Sequence, residues 1–136
     1  MTFSGRYSAQ PAPGSDEAFL AHDRYWFSET ITLAGVEGSP SVTTAGSGNF
    51  RETQARLLDP EKPTIYEFTG QDAGTFGLYG SDGALLVSSS GVFKFVNIQD
   101  TLGDKVPGSQ FIEDVTTAFH GRESGDFCEA LEAELT

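Results

Sequence analysis

Between Tyr25 and Leu33 the chain alternates: Tyr25, Phe27, Ile31 and Leu33 share one face of an extended segment, while Trp26, Ser28, Thr30 and Thr32 share the other. A period of two predicts a strand. The pattern stops at Gly35, Gly38 and Pro40, a turn cluster, after which 42–58 reads as one long strand interrupted near Gly46 and Gly48. Asp59 to Pro63 is the next turn. Short strand candidates follow at 64–69, 75–79, 84–89 and 91–99, set apart by Gly70, Gly74, Gly80, Gly83 and Gly91 in the spacing of an antiparallel meander. Ser81, Asp82 and Gly83 predict a hairpin turn, because Asp and Gly tolerate the positive φ that such a turn demands.

The two ends read differently. Residues 1–15, with Pro11, Pro13, Gly14 and Ser15, predict a flexible leader, and 16–136 a single domain. Asp16 to Arg24 allows one or two helical turns capped by Ser15. Phe111, Ile112, Val115 and Phe119 fall at helical spacing, as do Phe127, Cys128, Leu131 and Leu135, yet the stretch from Val115 to His120 is also rich in strand formers. Taken as strands, these segments bring the total to eight and predict a mainly β fold, a small antiparallel, calycin-like barrel without exposed edges. Six strands with two C-terminal helices is the alternative.

Composition narrows the function. A chain of 136 residues with 11 Phe, 4 Tyr and 1 Trp is long and aromatic enough to fold around one core. Its net charge of −12 repels nucleic acid and anionic membrane surfaces, so neither is an expected partner. Cys128 is alone and forms no internal disulfide, and no apolar run reaches the length of a membrane span, which together predict a cytoplasmic protein. Two histidines and one cysteine offer no zinc spacing, and no phosphate loop or nucleophile elbow occurs, so no metal or cofactor is expected. His22 and His120 read as surface or capping residues.

Two charges interrupt apolar strand patterns. Glu29 lies between Phe27 and Ile31, and Lys94 breaks the run Val92, Val96 and Ile98. Turned inward they would have to pair, because a lone buried charge is costly; turned outward they would leave Trp26, Phe93 and Phe95 as core.

The segment TTAGSGNFR, Thr43 to Arg51, followed fifteen residues later by Tyr66, resembles the second strand of the spirotetronate cyclases, small barrels grouped with allene oxide cyclase and the dirigent proteins. The resemblance spans residues 38–68. It implies a cofactor-free enclosure that folds an apolar, polyketide-like or fatty-acid-derived chain for cyclisation, with Phe50 and Tyr66 lining the pocket. Beyond Phe68 the family's aromatic pocket residues find no counterpart, and the helical pattern from Phe111 onward departs from its barrel.

The resulting expectation is a cyclase or isomerase in which Glu29, Tyr66 and Lys94 polarise the substrate while Tyr25, Phe27, Phe50, Phe68, Phe76, Phe93 and Phe95 shape it. A lipocalin-like binding protein for an apolar small molecule uses the same aromatics without turnover, and a β-rich interaction domain needs no cavity. A homodimer is compatible with all three.

Overall fold

A computed structural model describes residues 1–136 as six antiparallel strands in one open sheet and a single C-terminal helix. The strands are β1 (Thr2–Pro11), β2 (Phe19–Thr32), β3 (Ser41–Leu57), β4 (Ile65–Tyr79), β5 (Leu85–Asp100) and β6 (Gln110–Ser124), and the helix is α1 (Phe127–Leu135). Each strand pairs with its neighbour in sequence, so the sheet is a plain meander with β1 and β6 as free edges. It does not close into an eight-stranded barrel.

Four sequence expectations are corrected by this arrangement. Residues 64–69 and 75–79 are one strand, as are 84–89 and 91–99, because Gly70, Gly74 and Gly91 lie within ladders and not at turns. Similarly, β3 runs unbroken through Gly46 and Gly48. The supposed leader is β1, in register with β2 from Thr2↔Ser28 to Pro11↔Phe19. The helix expected over 16–24 is absent: Ser15 Oγ accepts from the amides of Glu17 and Ala18 at 3.1 and 3.0 Å, forming a turn from which β2 departs.

At the C-terminal end each alternative was right about one segment. Phe111, Ile112, Val115 and Phe119 belong to β6, a strand, whereas 127–135 is helical, with Asp126 Oδ1 capping the Glu129 amide at 2.9 Å. The expected 81–83 hairpin is present: Gly83 has a φ of 81°, and Asp82 Oδ1 accepts from Ala84 N at 2.9 Å.

The ladder carries this fold more than a core does. Only 17 of 136 residues are buried, whereas 71 of the 82 backbone hydrogen bonds lie within strands and helix. The two buried clusters lie at opposite ends of the sheet. One cluster gathers Ala12, Ala18, Leu20, Tyr66 and Phe68; the other gathers Val42, Leu78, Val87 and Leu135, and there α1 covers the sheet. The accessible surface is 8658 Å², about 1,800 Å² more than a compact monomer of this mass exposes. All fifteen residues of β6 are exposed.

Candidate functional site

Side chains alternate across a sheet, so the registers decide which residues share a face. Every phenylalanine from Phe27 to Phe119 projects to one face, together with Tyr25, Tyr66 and the strand members Val42, Leu78 and Val87 of the second buried cluster. Across the middle of that face runs a row in which five of six strands carry glycine: Gly5↔Tyr25↔Gly48↔Gly74↔Gly91↔Gly121. These glycines are required by close approach. A Cβ on Gly74 would lie 2.6 Å from Ser47 O, and one on Gly91 would lie 2.5 Å from His120 O.

Tyr25, the one large residue in the row, lies flat over Gly48. Its hydroxyl reaches across to donate to Asp72 Oδ2 at 2.9 Å. The phenol pKa is pushed up to about 12, first by burial, then by this hydrogen bond and by the negative charges of Asp72 and Asp23. Phe27 similarly covers Gly46 and stacks with Phe76, ring centroids 6.2 Å apart.

The glycine row is therefore the floor of a trough. Phe27 and Phe76 form one wall, with Phe127 of α1 behind Phe76 at 5.4 Å; Asp72, Phe93 and Phe119 form the other. The walls stand four residues apart along each strand, about 13 Å. The hollow between them measures about 210 Å³. Phe93 and Phe119 remain 42% and 46% exposed, apolar surface that the chain itself leaves uncovered.

A larger hollow of about 390 Å³ lies over Ser8, Gln10, His22 and Arg51, which alternate to the opposite face. It has no aromatic wall, and His22 there is engaged with Asn49 at 2.6 Å. Beside it the β2–β3 ladder ends at His22↔Arg51, and the Ala21 amide donates to Glu52 Oε2 at 2.8 Å instead of to a backbone carbonyl. Gln99 Nε2 donates to Glu52 Oε1 at 3.0 Å. Burial raises the Glu52 pKa against the lowering effect of these two bonds. All donors to this carboxylate are neutral, and they tie the sheet together at a point where a ladder bond is missing. The trough is the better candidate, because its aromatic surface and charge are unmet within the chain.

The residues singled out in the sequence separate. Tyr25, Phe27, Phe76 and Phe93 meet in the trough. Phe50, directly across from Asp72 in the row of the acidic wall, stacks at 5.3 Å on Phe95 of the next row, which covers Gly70. Phe68 is 1% exposed in the first buried cluster, beside Tyr66, whose hydroxyl meets Ser15 Oγ at 3.2 Å. Glu29 and Lys94 do not pair. Both are exposed, and the registers place Glu29 on the aromatic face and Lys94 on the opposite one. Asp72, Phe119 and the glycine row were missed, although Gly70, Asp72, Gly74 and Phe76 do recur at period two.

No cluster of His, Cys, Asp or Glu suited to a metal ion is present. No helix is long and apolar enough to cross a membrane. Comparison of the chain with protein-family models, curated proteins and solved structures gave no match.

Proposed function

We propose that the protein is a small-molecule-binding module that holds an apolar ligand in the trough across the middle of its sheet. The observation that supports this most is the glycine row walled by rings: burying the half-exposed Phe93 and Phe119 under a ligand would remove apolar surface from water, worth about 25 cal/mol for each Å² covered. The reading keeps the binding part of the cyclase expectation and leaves out turnover, since an open sheet does not provide the water-excluding enclosure that cyclisation needs.

Titration with Nile red, a neutral probe that brightens in apolar surroundings, tests it. A saturable rise with one probe bound is expected. Phe93→Ala with Phe119→Ala should weaken binding about tenfold while leaving the fold intact, because neither ring belongs to a buried cluster. Undiminished binding by the folded double variant would rule out the trough.

The free edges support a second reading, association with another copy. β6, fifteen residues long, leaves the backbone groups of its outer edge unpaired, and the excess of about 1,800 Å² on one chain is more than the roughly 800 Å² that each partner of a standard interface buries. Dimers by native mass spectrometry, with slow amide exchange along β6, are then expected; a monomer at all concentrations would exclude it.

A further inference from the structure

The trough holds a charge that the chain does not answer. Asp72 Oδ2 receives the Tyr25 hydroxyl, but Asp72 Oδ1 is shielded from water and has no hydrogen-bond partner. Native proteins rarely leave a carboxylate oxygen in that state, because desolvation is costly unless a donor replaces the lost water.

No donor from this chain stands ready. Six of the eight lysines and arginines lie on strands, namely Arg6, Arg24, Arg51, Arg56, Lys94 and Arg122, and all alternate to the face opposite the trough. The other two, Lys62 and Lys105, sit in connections, where Lys105 contacts Asp16 at 3.2 Å and Glu17 at 3.9 Å. Both histidines are also on the far face. The aromatic face thus carries no cation within its strands, while Asp23 adds a second negative charge close enough to act on Tyr25.

The walls favour the same kind of guest. The faces of Tyr25, Phe27, Phe76, Phe93 and Phe119 attract positive charge through their quadrupoles, most strongly where water is excluded. A cation that donates to Oδ1 must carry an N–H, which a quaternary ammonium lacks.

Resting on the binding reading above, we propose that the trough selects an organic cation: a protonated amine on a flat or chain-like apolar body. The ammonium pairs with the Asp72 carboxylate, whose Oδ1 turns toward the trough to accept from it, and the body lies along the glycine row between the aromatic walls. Tyr25 is a positioning residue, holding the carboxylate through Oδ2.

Calorimetric titration at neutral pH with octylamine, octanol and octanoate tests this. Octylamine is expected to bind at least about tenfold more tightly than octanol, with octanoate weakest, as a charge-assisted hydrogen bond implies. Asp72→Asn should bring octylamine down to the level of octanol. Glu113→Gln, which removes one charge from an exposed position on the far face, should leave the preference intact. Equal binding of amine and alcohol would overturn the cation inference and leave the binding reading standing. Failure of all three probes would overturn both. An amine preference that survives Asp72→Asn, or that falls equally in Glu113→Gln, would trace to net charge and overturn the assignment to Asp72.

Discussion

Replacing Gly48 by alanine puts a methyl group where the Tyr25 ring lies. The new Cβ would be 2.8 Å from Tyr25 Cε1 and closer still to Cζ and the hydroxyl oxygen, so the ring must leave. Its departure breaks the hydrogen bond to Asp72, a bond to a charged acceptor worth about 1.5–3 kcal/mol. Alanine returns about 0.5–1 kcal/mol, because glycine loses more backbone freedom in a strand. Lost ring contact adds about 1 kcal/mol, for a net destabilisation of about 2 kcal/mol and a fall in Tm of roughly 8 °C.

Urea unfolding measures the energy, and phenolate absorbance identifies the cause. In the wild type minus Tyr25→Phe difference, a phenol should titrate near 12; in Gly48→Ala, Tyr25 returns to water and its midpoint should fall toward 10. Gly74→Ala is the companion test. There the obstructing atoms are backbone, Ser47 O at 2.6 Å and Gly48 Cα at 3.1 Å, so no side chain can swing aside and a larger loss is expected. A Gly48→Ala protein within about 0.5 kcal/mol of wild type that still titrates near 12 would refute the close-approach account of the row.

Three further outcomes follow from the same geometry. The neutral Tyr25 phenol has a folded pKa above its unfolded one, so the stability linked to it is fully present below about pH 10 and lost as pH rises through 12; Tyr25→Phe should flatten that alkaline decline in urea midpoint. Glu52 is also raised in the folded state, so its contribution is fully present below the ordinary glutamate pKa and lost as pH rises through the raised one. The stability of wild type relative to Glu52→Gln should therefore fall as pH increases from about 4 toward neutrality, and a flat difference would contradict the burial argument. Leu78→Ala, at a fully buried position in contact with the α1 cluster, should cost about 3 kcal/mol and speed amide exchange in Phe127–Leu135; unchanged exchange there would mean that α1 does not depend on this cluster.

The parts of the fold that were legible are those encoded locally. The 81–83 turn needs only Asp82 and Gly83, and the alternation from Tyr25 gives β2 without knowledge of its neighbours. What failed depended on register. Glycines at 70, 74 and 91 look like turn punctuation, since nothing nearby in sequence distinguishes a glycine that bends the chain from one that lies close against a neighbouring strand. In β6, bulges leave Ile112 and Val115 unpaired, and each extra residue shifts the period of two, so the apolar positions imitate a helical stripe. For Glu29 and Lys94 the sequence leaves the inward and outward orientations both open, because three intervening ladders determine their faces, and those ladders put them on opposite sides.

The aromatic content predicts a core, but most of the rings are not buried in one. Among strand phenylalanines only Phe68 and Phe95 are buried, whereas Phe93, Phe111 and Phe119 are between 42% and 57% exposed. Glycine and phenylalanine act here as one device: where Gly46, Gly48 and Gly70 omit a Cβ, Phe27, Tyr25 and Phe95 lie down across the gap and hold neighbouring strands together without a second layer. A sheet secured in this way needs little on top of it, which is why the buried clusters lie at its two ends and its centre stays open. The uncovered rings are therefore not a core but the surface on which the binding proposal rests, and Asp72 Oδ1, unpartnered among them, is the observation from which the proposed preference for a cation is argued.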